Sequence, residues 1–273
     1  MSVQPVSSPA DQLQRAAEVL SKNWILALPT AIASLVLGIV MVLAVVSVVT
    51  AAVVGRAAGG GAGMWAGLGT SALIALVLAF AGLLLVIFSQ AIVIHASEDA
   101  WEGRPVNLGA SLAATLARLP DLFVAYIISA LIMLVAIVLC FAVIGFPLVF
   151  VGIYFLMYVI PAVMIGGESG TAAISTSFRL ASRNVGPSLI AFAGIVGALI
   201  VASFLTGITS HIPLINLVVS FAVGGLAAAY SALVSDRFYD MLRGTVPLVA
   251  ATPFGSAPPP PPPPDSGPPT VIR

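Results

Sequence analysis

Six stretches of the chain carry no Asp, Glu, Lys or Arg: Trp24 to Val54, Met64 to His95, Leu122 to Ile144, Leu148 to Ile165, Ser188 to Thr209 and Leu214 to Ser235. Each reaches the length of about 18 residues or more at which an apolar helix can cross the hydrocarbon core of a bilayer, roughly 30 Å thick. Composition leaves no soluble alternative: 60% of residues are hydrophobic and 7% charged, whereas a soluble domain is about a quarter charged. The expected fold is all-α, a polytopic membrane bundle of six transmembrane helices. The first two runs exceed the roughly 20 residues that a perpendicular span needs, so they are expected to tilt or project beyond the core. The first is also far longer than the apolar core of a cleavable signal peptide, about 7–15 residues, and is expected to stay as a span.

The connections alternate in kind. Gly59-Gly60-Gly61-Ala62-Gly63, Gly145-Phe146-Pro147 and Ser210-His211-Ile212-Pro213 are tight, and there Gly or Pro ends or restarts a helix. Before each pair of spans lies a short amphipathic segment. Ser8-Pro9-Ala10-Asp11 is a helix start, with a Ser cap, Pro at the first position and an acid three residues after the cap. Leu13, Ala16, Ala17 and Leu20 then share a face, with Gln12, Arg15 and Lys22 away from it. From Asn107, Leu108, Leu112, Leu116 and Leu119 form a stripe apart from Ser111, Thr115 and Arg118; from Thr171, Ile174, Phe178 and Ala181 oppose Ser175, Arg179 and Arg183. The plan that emerges is a surface helix followed by a transmembrane hairpin, three times over. Leu20-Ser21-Lys22-Asn23 echoes Ala181-Ser182-Arg183-Asn184. Unequal spacing rules out a strict array, and common hairpin construction explains the likeness as well as shared ancestry does.

Charge placement gives an orientation. Of the ten Lys and Arg residues, Arg15, Lys22, Arg104, Arg118, Arg179, Arg183, Arg237, Arg243 and Arg273 fall on one side and Arg56 on the other. By the positive-inside rule both termini are expected in the cytoplasm, in the plasma membrane. The organisation is then a cytoplasmic amphipathic helix over 1–23, a six-helix domain over 24–244 and a Pro-rich cytoplasmic tail over 245–273. Seven consecutive prolines, Pro258 to Pro264, make a polyproline rod that cannot pack a core, either a docking peptide or an inert spacer.

Little chemistry is encoded. The ten acidic residues cancel the ten basic ones, which argues against a nucleic-acid partner. Cys140 is the single cysteine, which excludes an intramolecular disulfide. Charge-free spans disfavour a proton-coupled pump. His95, Asp99 and Glu102 fall on one helix face, but the acids serve equally to solvate the span end and pair with Arg104 or Arg118. No cofactor, metal site or catalytic group is expected. Lys22, Arg118, Arg179, Arg183 and Arg237 are the candidate contacts for anionic lipid headgroups or a partner protein, each basic residue near an anionic leaflet contributing about 1 kcal/mol; setting topology alone accounts for the same residues. Stripes of small residues, Gly194, Ala198, Ala202 and Thr206 against Ser220, Gly224, Ala228 and Ala232, predict that the fifth and sixth spans pack together. Trp24, Trp101, Tyr158 and Tyr239 read as interface anchors.

Glu102-Gly103-Arg104-Pro105-Val106, Gly145-Phe146-Pro147, Pro161, Gly170, Ser177-Phe178-Arg179-Leu180, Asn184 and the closing Arg237-Phe238-Tyr239-Asp240-Met241-Leu242-Arg243-Gly244 resemble the YciC-like membrane proteins. They also resemble the membrane domain attached to some glycerophosphoryl diester phosphodiesterases. The resemblance implies a six-helix membrane domain without an established activity of its own; the catalytic barrel of the enzyme-fused members is missing here, and the tail lies outside the pattern. The expected function is that of a non-enzymatic embedded accessory or scaffold. A transporter or permease for a small amphipathic solute, with Ser89, Gln90, Ser203 and Thr206 lining a path, is the alternative.

Overall fold

The computed structural model describes residues 8–57, 62–140 and 145–244; the glycine turn at 58–61, the Pro-rich tail and Arg273 lie outside the described residues. Ten α-helices follow one another: α1 (Pro9–Lys22), α2 (Ala27–Ala57), α3 (Ala62–Trp101), α4 (Leu108–Ala117), α5 (Leu119–Cys140), α6 (Gly145–Leu156), α7 (Val159–Met164), α8 (Gly170–Arg183), α9 (Val185–Thr209) and α10 (Pro213–Leu242), with one 3₁₀ turn at Trp24–Leu26. Among the described residues there is no strand. Six spans are long and apolar enough to cross a membrane, the fourth made of α6 and α7 together. The chain is a membrane protein with a helical bundle fold, built as three hairpins (α2/α3, α5/α6–α7, α9/α10), each preceded by a surface helix.

Local chemistry accounts for the surface helices. Ser8 caps α1 by accepting from the Asp11 amide at 3.2 Å, while the Asp11 carboxylate accepts from the Ser8 amide at 2.8 Å. Asn107 caps α4 by accepting from Ala110 N at 3.0 Å. α1 and α8 end alike: Asn23 and Asn184 adopt nearly the same backbone angles, and each donates its side-chain amide to the carbonyl four residues back, at 3.1 and 3.2 Å. Counted from the caps Ser8, Asn107 and Ser169, the fourth and eighth residues are buried in every case: Gln12 and Ala16, Ser111 and Thr115, Ala173 and Ser177. The three helices thus share one docking register.

They dock in a cycle. Each packs on the second membrane helix of the preceding hairpin, α4 on α3, α8 on α7 and α1 on α10. Side-chain bonds fasten each junction: Ser111 Oγ to His95 Nδ1 at 3.2 Å, Ser177 Oγ to the Tyr158 amide at 3.2 Å, and Gln12 Oε1 to Arg237 Nε at 3.0 Å. The inner helices α3, α7 and α10 also pack on one another. The buried core lies at this end, drawn from Ala91–Ala100 of α3, Tyr158 with Val159–Met164 of α7, and Ala229–Tyr239 of α10. Away from it the spans expose Val42, Leu43, Leu76, Val135 and Phe204, the surface expected against lipid tails.

Two close approaches set the packing. Thr30 Oγ1 donates to the Gly225 carbonyl at 2.8 Å, and a Cβ on Gly225 would lie 2.6 Å from the Ala31 Cβ, so only glycine lets α10 meet α2 there. A Cβ on Gly170 would lie 2.5 Å from the Asp121 carbonyl, where α8 begins against α5.

Several expectations are corrected. The fourth span breaks at Met157–Tyr158, because Pro161 has no N–H for the Met157 carbonyl and its ring crowds that turn. Two other backbone groups at the break find Ser177, whose hydroxyl accepts from Tyr158 N and donates to the Phe155 carbonyl at 2.6 Å. The two faces of α4 separate as expected, but it is Leu112 and Leu116 that face outward and Ser111 and Thr115 that are buried, the reverse of a soluble amphipathic helix and the arrangement suited to an apolar solvent. Gln12 turns inward. Tyr158 and Tyr239 are fully buried core residues rather than interface anchors. The fifth and sixth spans do pack, as α9 on α10. Gly194, Ala198 and Ala202, however, border an open groove of about 550 Å³ with Leu20, Trp24 and Tyr230, and the tight glycine contact of α10 is Gly225 rather than Gly224.

Candidate functional site

The described Lys and Arg side chains gather at the end of the bundle that carries the surface helices. Of the five candidates, Lys22 and Arg237 are brought together with Arg15, Glu18, Val19 and Trp101 around a polar cleft of about 380 Å³ between α1 and the last turns of α3 and α10. Arg118 is elsewhere, its Nη1 donating to the Gly167 carbonyl at 3.3 Å. Arg179 lies on α8, with Nη2 3.5 Å from Thr176 Oγ1, and Arg183 closes the same helix, exposed. The five form a basic perimeter, not one site.

Within the cleft, Arg237 is the most constrained group. Its Nε donates to Gln12 Oε1, and its guanidinium carbon lies 5.3 Å from the centre of the Trp101 ring, a cation–π geometry. Arg15 and Lys22 are exposed on α1, two turns apart. Among the described residues neither makes a salt bridge. The Trp101 indole nitrogen is buried without a hydrogen-bond partner among the described residues, which is unusual for a buried donor. Arg15 was legible in the sequence as a neighbour of Lys22. Its convergence with Arg237 was not, since 222 positions separate them and only the docking of α1 on α10 joins them.

The neighbouring acids are arranged differently from a ligand set. Asp99 accepts from Arg104 at 2.8 Å and Glu102 also pairs with Arg104, while His95 faces Ser111. Residue 236 is the feature that a boundary drawn at Ser235 misses. α10 runs on to Leu242, and Asp236 is 1% exposed between α10 and α3, hydrogen-bonded to Ser97, its other oxygen without a partner among the described residues. The suggested path residues do not converge. Ser89 and Thr206 bond their own helices, at Val86 and Ser203, and Ser203 is exposed on α9. An apolar cavity of about 480 Å³ does lie between α3 and α5, lined by Leu84, Phe88, Leu119, Phe123 and Tyr126 among others.

No family model, curated protein or solved structure matches the chain.

Proposed function

We propose that this chain is a non-enzymatic plasma-membrane protein of the YciC-like type, an embedded accessory or scaffold whose basic end, with both termini, faces the cytoplasm. There it contacts anionic lipid headgroups or a partner protein. The observation that carries the reading is the ring of three surface helices on one end of the bundle, with basic side chains exposed on and between them. Such a ring holds cations at the depth of the phosphate layer, where an anionic leaflet attracts them. Purification into nanodiscs from native membrane, with mass spectrometry of everything retained, tests it. Enrichment of anionic phospholipid or a reproducible protein companion is expected, and a protein that carries neither overturns the reading.

The apolar cavity between α3 and α5 favours a second reading, a permease for a small lipid-like solute. Liposome flux that disappears with Leu84→Trp, which fills the cavity, would support it, and tight liposomes would count against it.

A further inference from the structure

We infer that the cleft between α1, Trp101 and Arg237 is a binding site for a phosphate-bearing anion, and that an anionic phospholipid headgroup is its source. The inference rests on the lipid-contact reading above and assigns that contact to one place.

Arg15, Lys22 and Arg237 come from two helices far apart in sequence, and Glu18 is the one carboxylate among the lining residues. Asp236 and Asp240 offset part of the Arg237 charge along α10, but Arg15 and Lys22 have no such neighbour in a salt bridge. The lining side chains therefore present three cations, Arg15, Lys22 and Arg237, against the single carboxylate of Glu18. An oxyanion supplies the missing negative charge.

Shape and depth narrow the ligand. About 380 Å³ lies within the range of roughly 300–1,000 Å³ of small-molecule sites, roomy enough for a phosphate with a glycerol-sized substituent. Arg237 is held by Gln12 and Trp101 before any ligand arrives, so its planar fork is ordered for a phosphate at low entropic cost. Trp24 begins the first span and Trp101 ends the second. The cleft thus opens where apolar helix gives way to polar surface, the level of lipid phosphates rather than of bulk solution.

The full chain in phosphatidylcholine nanodiscs would be titrated with dioctanoyl phosphatidate and, separately, with inorganic phosphate, and occupancy read by native mass spectrometry. Arg15→Gln and Lys22→Gln alter exposed side chains and leave the packing intact; each is expected to weaken phosphatidate binding about fivefold. Arg237→Gln should weaken it more, and Arg179→Gln with Arg183→Gln, on α8, should leave it within about twofold. Cleft variants that bind like the parent, or α8 variants that lose as much, overturn the site while leaving the broader lipid contact standing. Inorganic phosphate binding with the same variant dependence keeps the chemistry but overturns the lipid source. A parent that binds neither probe overturns the site; if it also carries neither anionic lipid nor a reproducible protein companion from native membrane, the broader reading falls with it.

Discussion

The Ser97–Asp236 pair joins α3 to α10 inside the buried end of the bundle, with one carboxylate oxygen lacking a partner among the described residues. Removing one member of such a pair leaves the other desolvated, whereas replacing both by apolar groups is far less costly. Ser97→Ala is expected to destabilise the protein by about 1–3 kcal/mol, read from thermal unfolding in detergent. Ser97→Ala combined with Asp236→Leu should be less destabilised than the sum of the singles; strict additivity would show that the pair is not coupled. This pair was hidden in the sequence because Asp236 follows the last apolar run by a single residue and looks solvated. Only the docking of surface helices makes that depth an interior. Gln12 was misplaced for the same reason: its polarity points to water, but its partner is an arginine 225 positions away.

Pro161 splits one span into α6 and α7, and Ser177 on α8 supplies the backbone partners that the split leaves without a helix. Ser177→Ala should therefore cost more than a surface serine replacement, about 2 kcal/mol, and Ser182→Ala on the exposed face of α8 serves as the comparison. Equal losses in the two variants would sink this account. Between α2 and α10 the constraint is space. Gly225→Val drives a side chain into Ala31 and is expected to cost about 1–3 kcal/mol, and Gly224→Ala, whose Cβ meets nothing within 4 Å, much less. The spans and surface helices were legible because length and period survive in any context. Which small residue makes the close contact was not, since adjacent Gly224 and Gly225 differ only in which neighbour they face.

At the scale of the molecule, an even number of spans returns the end of α10 to the side on which α2 begins, and both termini are expected there. Reporter fusions at the two termini are expected to signal the same compartment, and opposite compartments would refute the span count. The threefold plan was visible as three amphipathic segments and three hairpins, but its cyclic docking was not, because the sequence orders the units and does not say which one receives each helix. That closure carries a temporal consequence. α4 and α8 are made just after the helices they rest on, whereas α1 rests on α10, and Leu13 accepts its bond from Tyr230, 217 residues later. At about 5–20 residues per second, Leu13 is made roughly 10–40 s before Tyr230. α1 spends that interval without its seat and Gln12 without its Arg237 partner, so the ring closes only once α10 has been made.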